Sequence, residues 1–170
     1  MDVGGALIMV LIREADLVGA DANAVGAAAR DYLRQTEQEK AEQGLTAPRA
    51  DDAPLPRRYQ DEVDDPRSAY EGCHVLVAEV DDEVVGLVVL KPQGVVTEIK
   101  RLWAAPRLRG RGIGSALLDA AIATGAGGGA LRLSVWDWRT GAIRLYESRG
   151  FGRVASWDAR DRLLCLQRPA

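Results

Sequence analysis

Apolar residues occur along the first half of the chain in runs of different length and period. Residues 7–12 form an unbroken apolar run that ends at charged residues, which predicts a strand leaving a sheet. Residues 21–42 have a helical period and become polar after Leu33, which predicts a helix whose second half is solvated; its apolar positions are Val25, Ala28, Ala29, Tyr32 and Leu33. Residues 44–72 are rich in proline and acidic residues, which predicts a loop or lid with a short helix.

Runs of β-branched residues dominate the middle of the chain. They cover residues 75–80, 84–91 and 95–103 and are separated by short polar breaks at 81–83 and 92–94. Breaks of this length suit antiparallel hairpins, so we expect a three-stranded meander.

The remaining pattern alternates between helical and extended segments. We expect helices at residues 112–124 and 140–149, a strand at 131–135, and two short strands at 154–157 and 163–166. A chain of 170 residues is long enough for one well-packed core. The pattern therefore predicts a single α/β domain over residues 1–170.

Composition and charge exclude several classes of protein. The 22 basic and 25 acidic residues give a net charge of -3, which argues against a duplex-DNA binder. Apolar runs are far shorter than the roughly 20 residues of a membrane-spanning helix, and no basic residue precedes the first run. We therefore expect a cytoplasmic protein with no nucleic-acid or membrane partner. With two distant cysteines and one histidine, no metal site is expected.

The near-neutral total charge conceals two regions of opposite sign. Residues 100–111 hold five basic residues and no acidic one, while residues 51–65 hold six acidic residues against two arginines. The first region is suited to an anionic ligand. The second is a candidate contact for a cationic substrate, although a solvated charged loop is the simpler interpretation.

The basic region ends in a glycine-rich turn before a predicted helix, Arg109-Gly-Arg-Gly-Ile-Gly114. Glycines let backbone amides approach a ligand, and a helix N-terminus adds partial positive charge, so the turn predicts an anion-binding cradle. It is not a Walker loop, because Ser115 follows Gly114 without an intervening lysine. A dinucleotide fingerprint also fails, because its third glycine or alanine is Ser115 or Leu117.

The turn resembles the acyl-coenzyme A motif of the GNAT superfamily of N-acetyltransferases, Gln/Arg-x-x-Gly-x-Gly/Ala. A second segment, residues 141–151, is similar to that family's Ala-x-x-Leu-Tyr-x-x-x-Gly-Phe element. The resemblance is strongest over residues 75–157. It implies a mixed, mostly antiparallel sheet of six or seven strands, flanked by helices and splayed between the fourth and fifth strands.

The resemblance also implies where acetyl-coenzyme A binds. The pyrophosphate is expected on the turn that Arg109 opens, and the pantetheine arm along the preceding strand; the residues involved are Leu102, Trp103, Ala104, Arg109, Gly110, Arg111, Gly112, Ile113, Gly114 and Ser115. A splayed strand leaves amide and carbonyl groups unpaired, and the amide-bearing arm can satisfy them. Only the backbone of Trp103 is implicated, so core packing explains its side chain equally well.

Two residues are candidates for the acid and base of acetyl transfer. The resemblance assigns Tyr146 as the general acid that protonates the leaving thiolate. Glu98 stands where some family members carry a glutamate base. Glu98 has two alternatives, an ion pair with Lys100 and a role in orienting the substrate ammonium.

Three positions bear on how far the resemblance extends. Arg139 replaces an asparagine that many members place seven residues before the tyrosine, and it would reach a coenzyme A phosphate or lie in solvent. Ser134 occupies a position where members that acetylate peptide N-termini often have glutamate, which disfavours that subclass. Asp137 would contact a cationic substrate.

The function that follows is transfer of an acetyl group from acetyl-coenzyme A to a primary amine of a small molecule, by direct attack in a ternary complex. The alternatives are a peptide or protein N-acetyltransferase and a non-catalytic acyl-coenzyme A sensor. A homodimer formed through the C-terminal strands is a further expectation from the resemblance.

Overall fold

The fold is organised around a seven-stranded sheet, seen in a computed structural model that describes residues 7–170. The strands are β1 (Leu11–Glu14), β2 (His74–Val80), β3 (Glu83–Gln93), β4 (Val96–Ala104), β5 (Ala130–Trp136), β6 (Gly152–Arg153) and β7 (Leu163–Arg168). The helices are α1 (Ala22–Glu42), α2 (Arg57–Asp64), α3 (Pro66–Ala69), α4 (Ile113–Gly125) and α5 (Thr140–Ser148). The strand order is β1-β2-β3-β4-β5-β7-β6. None of the helices in residues 7–170 is long and apolar enough to cross a membrane.

The core lies between the sheet and the helices that pack on it. Helix α4 contacts β2, β3 and β4, and α1 contacts β3 and β4. Leu117 and Leu118 of α4 are fully buried, and burial of one leucine side chain contributes about 1.5–3 kcal/mol. A Cβ added to Gly86 of β3 would lie 2.8 Å from Leu117 Cδ1, so the close approach of α4 to the sheet requires glycine there.

The first strand differs from its prediction. β1 starts at Leu11, and Leu7 and Met9 are 97% and 88% exposed. Arg13, expected beyond the end of the strand, lies inside it because its guanidinium pairs with Glu79 of β2 at 2.6 Å and with Asp21 at 2.6 Å. Charged residues that appeared to end the strand therefore help to hold it on the sheet.

Two other boundaries were predicted wrongly. The break between β3 and β4 is shorter than the predicted residues 92–94. Pro92 and Gln93 still belong to β3 and pair with Thr97 and Val96, and the chain turns at Gly94. Beyond Leu90, β3 has no partner on its β2 side, so a proline, which lacks an N–H, is accommodated there. The strand expected at 154–157 is instead the short β6.

The sheet is antiparallel except at β4 and β5, which run parallel and separate. They pair only from Val96 to Glu98 and from Ala130 to Arg132, although both strands continue well beyond those residues. On the other edge of β4 a bulge interrupts the pairing with β3, and Arg101 in this bulge has a φ of 59°. The predicted mixed sheet, splayed between its fourth and fifth strands, is confirmed.

Candidate active site

A cleft opens where β4 and β5 separate. Its volume is about 200 Å³. Both diverging strands contribute to its walls, together with α1, α5 and the basic turn before α4; the lining residues are Tyr32, Gln35, Glu98, Ile99, Lys100, Arg101, Leu102, Trp103, Ala104, Arg109, Leu133, Ser134, Val135, Arg139, Ala142 and Tyr146. The cleft therefore brings together Glu98, Tyr146, Arg139 and the β4 residues that the sequence pointed to.

The glycine-rich turn lies at the N-terminus of α4. Gly110 and Gly112 have φ values of 78° and 79°, a left-handed conformation that glycine adopts without strain. The first bond inside the helix runs from the Ala116 amide to the Gly112 carbonyl at 2.9 Å, so the amides of residues 113–115 have no partner within the helix. A Cβ added to Gly114 would meet no atom within 4 Å. The turn thus has unpaired amides and open space, which fits a bound pyrophosphate.

The side chains of the turn divide into three groups. The Ile113 side chain is 1% exposed and packs in the core, so only its amide is available to a ligand. Arg109 and Arg111 are exposed, and Arg109 donates a hydrogen bond to Gln35 Oε1 at 2.6 Å. Arg107 pairs with Glu83 at 2.6 Å. The exposed arginines add positive charge beside the amides.

The segment Leu102, Trp103 and Ala104 forms the β4 wall of the cleft. The Trp103 side chain is 9% exposed and belongs to the hydrophobic core, as expected if only its backbone meets a ligand. Beyond Glu98 this edge of β4 has no pairing with β5. Backbone groups along it are therefore available to an extended ligand that carries amides.

Tyr146 lies on the buried face of α5 and lines the cleft. Its side chain is 8% exposed, and its ring makes an edge contact with Phe151 at a centroid distance of 6.0 Å. Burial raises the pKa of the Tyr146 phenol well above its ordinary range, and the proximity of Tyr32 raises it further. The phenol therefore stays protonated at neutral pH, as a proton donor must.

Glu98 occupies the last position at which β4 and β5 are still paired. Its carboxylate accepts a hydrogen bond from Gln93 Nε2 at 3.1 Å, and Gln93 Oε1 in turn accepts one from Arg132. Within residues 7–170 Glu98 forms no ion pair, so the alternative pairing with Lys100 is not seen. Glu98 is half-buried and is one of the residues that line the cleft.

The Arg139 side chain does not extend into solvent but contacts three other side chains. Its guanidinium pairs with Glu39 at 2.6 Å and donates to Thr36 Oγ1 at 2.8 Å and to the Tyr32 hydroxyl at 3.4 Å. All three partners belong to α1. Arg139 therefore fastens the start of α5 to α1 across the cleft.

A buried charged cluster next to the cleft was not predicted from the sequence. Arg101 pairs with Glu62 of α2 at 2.9 Å, and each side chain is 15% exposed. Tyr32 lies between two guanidinium groups, with its ring centroid 5.6 Å from Arg101 and 5.3 Å from Arg139. Burial alone would raise the pKa of the Tyr32 phenol, but the charges of Arg139 and Arg101 outweigh burial and lower it.

No spacing in the sequence connects these residues. Tyr32 shares a helical period with core residues, and Arg101 stands inside an apolar strand, so each resembles an ordinary structural position. The one available signal was an arginine within a strand, which needs a buried partner.

Two acidic residues expected to attract a cationic substrate are already paired. Glu62 holds Arg101, and Asp137 pairs with Arg162 at 2.9 Å. Ser134 lies in the cleft wall. Among residues 7–170, no group of three or more potential metal ligands is close enough together to hold a metal ion.

Solved structures share this fold over nearly the whole chain. The PaiA N-acetyltransferase of Thermoplasma acidophilum, in complex with coenzyme A, is 20% identical with a TM-score of 0.70, over 95% of this chain and 99% of that one. The ribosomal-protein-alanine N-acetyltransferase of Brucella melitensis is 22% identical with a TM-score of 0.67, over 94% and 99%. A GNAT acetyltransferase of Elizabethkingia anophelis with bound acetyl-coenzyme A is 21% identical with a TM-score of 0.54, over 72% and 95%.

Sequence comparison gives the family directly. None of the curated protein sequences matches this chain significantly. The sequence model of the acetyltransferase (GNAT) family, however, matches residues 33–151. Because this match covers well over half of the chain and includes both the glycine-rich turn and Tyr146, the protein belongs to the GNAT family of N-acetyltransferases.

Proposed function

We propose that the protein transfers an acetyl group from acetyl-coenzyme A to a primary amine of a small molecule, by direct attack within a ternary complex. The observation that carries this proposal is the cleft between β4 and β5. One end of it adjoins the anion-binding turn of α4, and a buried phenol and a carboxylate line the same space. A ligand with a phosphate end and an amide-bearing arm fits such a cleft.

Acetyl-coenzyme A is the cosubstrate in this proposal. The amides from Gly110 to Ser115 hold the pyrophosphate, and the exposed Arg109 and Arg111 add charge-assisted hydrogen bonds. The arm follows the unpaired edge of β4 at Leu102, Trp103 and Ala104, where a backbone N–H also polarises the thioester carbonyl. Arg139 keeps α1 and α5 in place around the arm.

The chemistry needs a base and an acid on opposite sides of the thioester. Glu98 accepts a proton from the substrate ammonium, and the free amine then attacks the thioester carbon. As the C–N bond forms and the C–S bond breaks, Tyr146 donates its proton to the departing thiolate. The nitrogen loses its second proton as the amide forms, and this proton restores the phenol. The products are the acetylated amine, free coenzyme A and one proton, which Glu98 releases to solvent.

The proposal is tested by incubating purified protein with acetyl-coenzyme A and a panel of small amines and peptides. We expect coenzyme A release with small amines and a stable N-acetyl product identified by mass spectrometry. Acetylation of peptides alone would contradict the small-molecule acceptor. Tight binding of acetyl-coenzyme A without any acetylation would favour a sensor.

A further inference from the structure

A second, smaller cavity adjoins the cleft on the side of the charged cluster. It has a volume of about 70 Å³ and shares Tyr32, Arg101, Ser134, Val135 and Arg139 with the cleft. Its other walls are formed by α1, α2, β5 and the loop before β7; these residues are Leu33, Thr36, Lys40, Tyr59, Trp136, Arg160 and Leu163. We call it the Arg160 cavity.

Among residues 7–170, those that line the Arg160 cavity include four cationic side chains and no acidic one. Each cation is held by a carboxylate that is not part of the wall, at distances of 2.7, 2.9, 2.6 and 2.7 Å; the pairs are Lys40–Glu37, Arg101–Glu62, Arg139–Glu39 and Arg160–Asp158. Such an arrangement keeps the cations in position and favours an anion between them.

Two of the arginines retain donors for a ligand. Arg101 binds Glu62 through Nε and Nη2, and Arg160 binds Asp158 through the same two atoms. Within residues 7–170 neither Nη1 group donates a hydrogen bond to another side chain or to the backbone, so each is available to a further acceptor. Planar N–H donors of this kind suit carboxylate and phosphate oxygens.

The size of the cavity limits what it accepts. One water molecule needs roughly 10–15 Å³ of such space, so about 70 Å³ admits a group of a few heavy atoms. A carboxylate or a phosphate group fits, whereas an aromatic substituent does not. The rings of Trp136 and Tyr59 close the remaining walls.

We propose that the acceptor carries an anionic group, a carboxylate or a phosphate, which binds in the Arg160 cavity while its amine lies in the adjoining cleft beside Glu98. This inference rests on the proposed function for the fate of the amine. It reverses the charge expected from the acidic residues of the sequence, because Glu62 and Asp137 pair with arginines and line neither the cleft nor the Arg160 cavity. The acceptor class is therefore amino acids or amino phosphates.

Matched amines test the charge preference. β-Alanine, phosphoethanolamine and ethanolamine are short primary amines that end in a carboxylate, a phosphate and a hydroxyl. We expect the wild-type protein to have a lower KM for the anionic amines than for ethanolamine. The anionic amine with the lower KM indicates whether the acceptor carries a carboxylate or a phosphate. Equal KM values for all three amines would overturn the inference and leave the acetyl-transfer proposal standing.

Arg160→Gln tests the cavity itself. The preference is measured as the KM for ethanolamine divided by the KM for an anionic amine. In Arg160→Gln this ratio should fall about 10- to 100-fold, because one charge-assisted hydrogen bond is lost. Arg160→Lys should retain part of the preference. Arg160 is half-exposed at 53%, so its replacement should leave the melting temperature close to that of the wild type. A preference that survives in Arg160→Gln would contradict the assignment.

Arg162→Gln is the matched control. Arg162 also pairs with a carboxylate and stacks on a tryptophan, Trp138, at 5.1 Å, but it does not line the cavity. We expect its charge preference to equal that of the wild type. If both ion pairs are purely structural, Arg160→Gln and Arg162→Gln should change the KM values equally, with no change that is specific to the anionic amines.

A binding measurement separates failure of this inference from failure of the proposed function. Titration calorimetry of the protein saturated with coenzyme A measures the affinity for β-alanine and phosphoethanolamine without turnover. If an anion binds the wild type and not Arg160→Gln, yet no amine is acetylated, the cavity assignment stands and the proposed reaction fails. Absence of binding to the wild type overturns the cavity assignment.

Discussion

The two ends of the cleft are built in different ways. The turn before α4 is built from six consecutive residues, 110–115, and offers backbone amides to a ligand. At the other end, buried side chains come from four elements, α1, α2, β4 and α5, and from the residue that precedes α5; they are Tyr32, Glu62, Arg101, Tyr146 and Arg139. A local, backbone-based site suits a cosubstrate common to a family, whereas a site assembled from distant side chains can vary with the acceptor.

The largest effect is expected on kcat, from a substitution that should leave acetyl-coenzyme A binding intact. Tyr146→Phe should lower kcat by about 10²- to 10⁴-fold, because the thiolate then leaves without its proton donor. Acetyl-coenzyme A affinity should change little, because the binding turn is formed by other residues. Steady-state kinetics and equilibrium binding measure the two quantities. Unchanged kcat would remove Tyr146 from the mechanism.

Breaking the Arg101–Glu62 pair should affect stability most. Arg101→Met leaves the Glu62 carboxylate in a nearly buried position, with 15% of its side chain exposed, and should reduce the free energy of unfolding by about 3 kcal/mol. The exposed pair Arg107–Glu83, whose side chains are 53% and 68% exposed, provides the control, and Arg107→Met should cost less than about 1 kcal/mol. Denaturant unfolding compares the two. Equal losses would contradict the difference between a buried and an exposed pair.

Alanine substitutions at two glycines of the turn should separate the effect of backbone strain from the effect of an added methyl group. Gly112→Ala places an alanine at a φ of 79°, which should reduce the free energy of unfolding by about 1–2 kcal/mol and weaken acetyl-coenzyme A binding. Gly114→Ala meets open space inside a helix and should raise stability by about 0.5–1 kcal/mol. Because the family's motif admits glycine or alanine at this position, acetyl-coenzyme A affinity should stay close to that of the wild type. A Gly114→Ala protein that loses affinity as Gly112→Ala does would contradict this difference between the two glycines.

The smallest expected effect is a pH dependence at the acceptor end. Arg160 lowers the pKa of Asp158 to about 2, so the pair stabilises the folded state above the unfolded pKa of about 4 and loses this effect as the pH falls toward 2. Because the pair is partly exposed, we expect less than about 1 kcal/mol. The difference in unfolding free energy between wild type and Asp158→Asn should shrink over that pH range. A difference that is constant from pH 6 to pH 2 would contradict the lowered pKa.

Features with a local cause were predictable from the sequence. The helix expected at 21–42 is α1, the meander is β2 to β4, and the glycine-rich turn lies at the start of a helix as expected. The prediction that the second half of α1 is solvated was wrong, because Thr36, Glu37 and Lys40 are buried there. Apolar period and backbone conformation determine these features over a few neighbouring residues. The errors at β1 and at residues 92–94 have a different cause. They depend on which strand lies alongside, as the pairing of Arg13 with Glu79 shows.

The family resemblance, the meander and the glycine-rich turn were predictable from the sequence alone, because each follows from contiguous residues whose period and spacing carry the information. Which charges meet depends on how the whole chain folds. Glu62 lies against Arg101 and Glu39 against Arg139, and four cationic side chains line one cavity beside the cleft. Ion pairs between distant elements depend on distance and burial, which no local pattern encodes, and for that reason the charge of the acceptor could be inferred only from the folded chain.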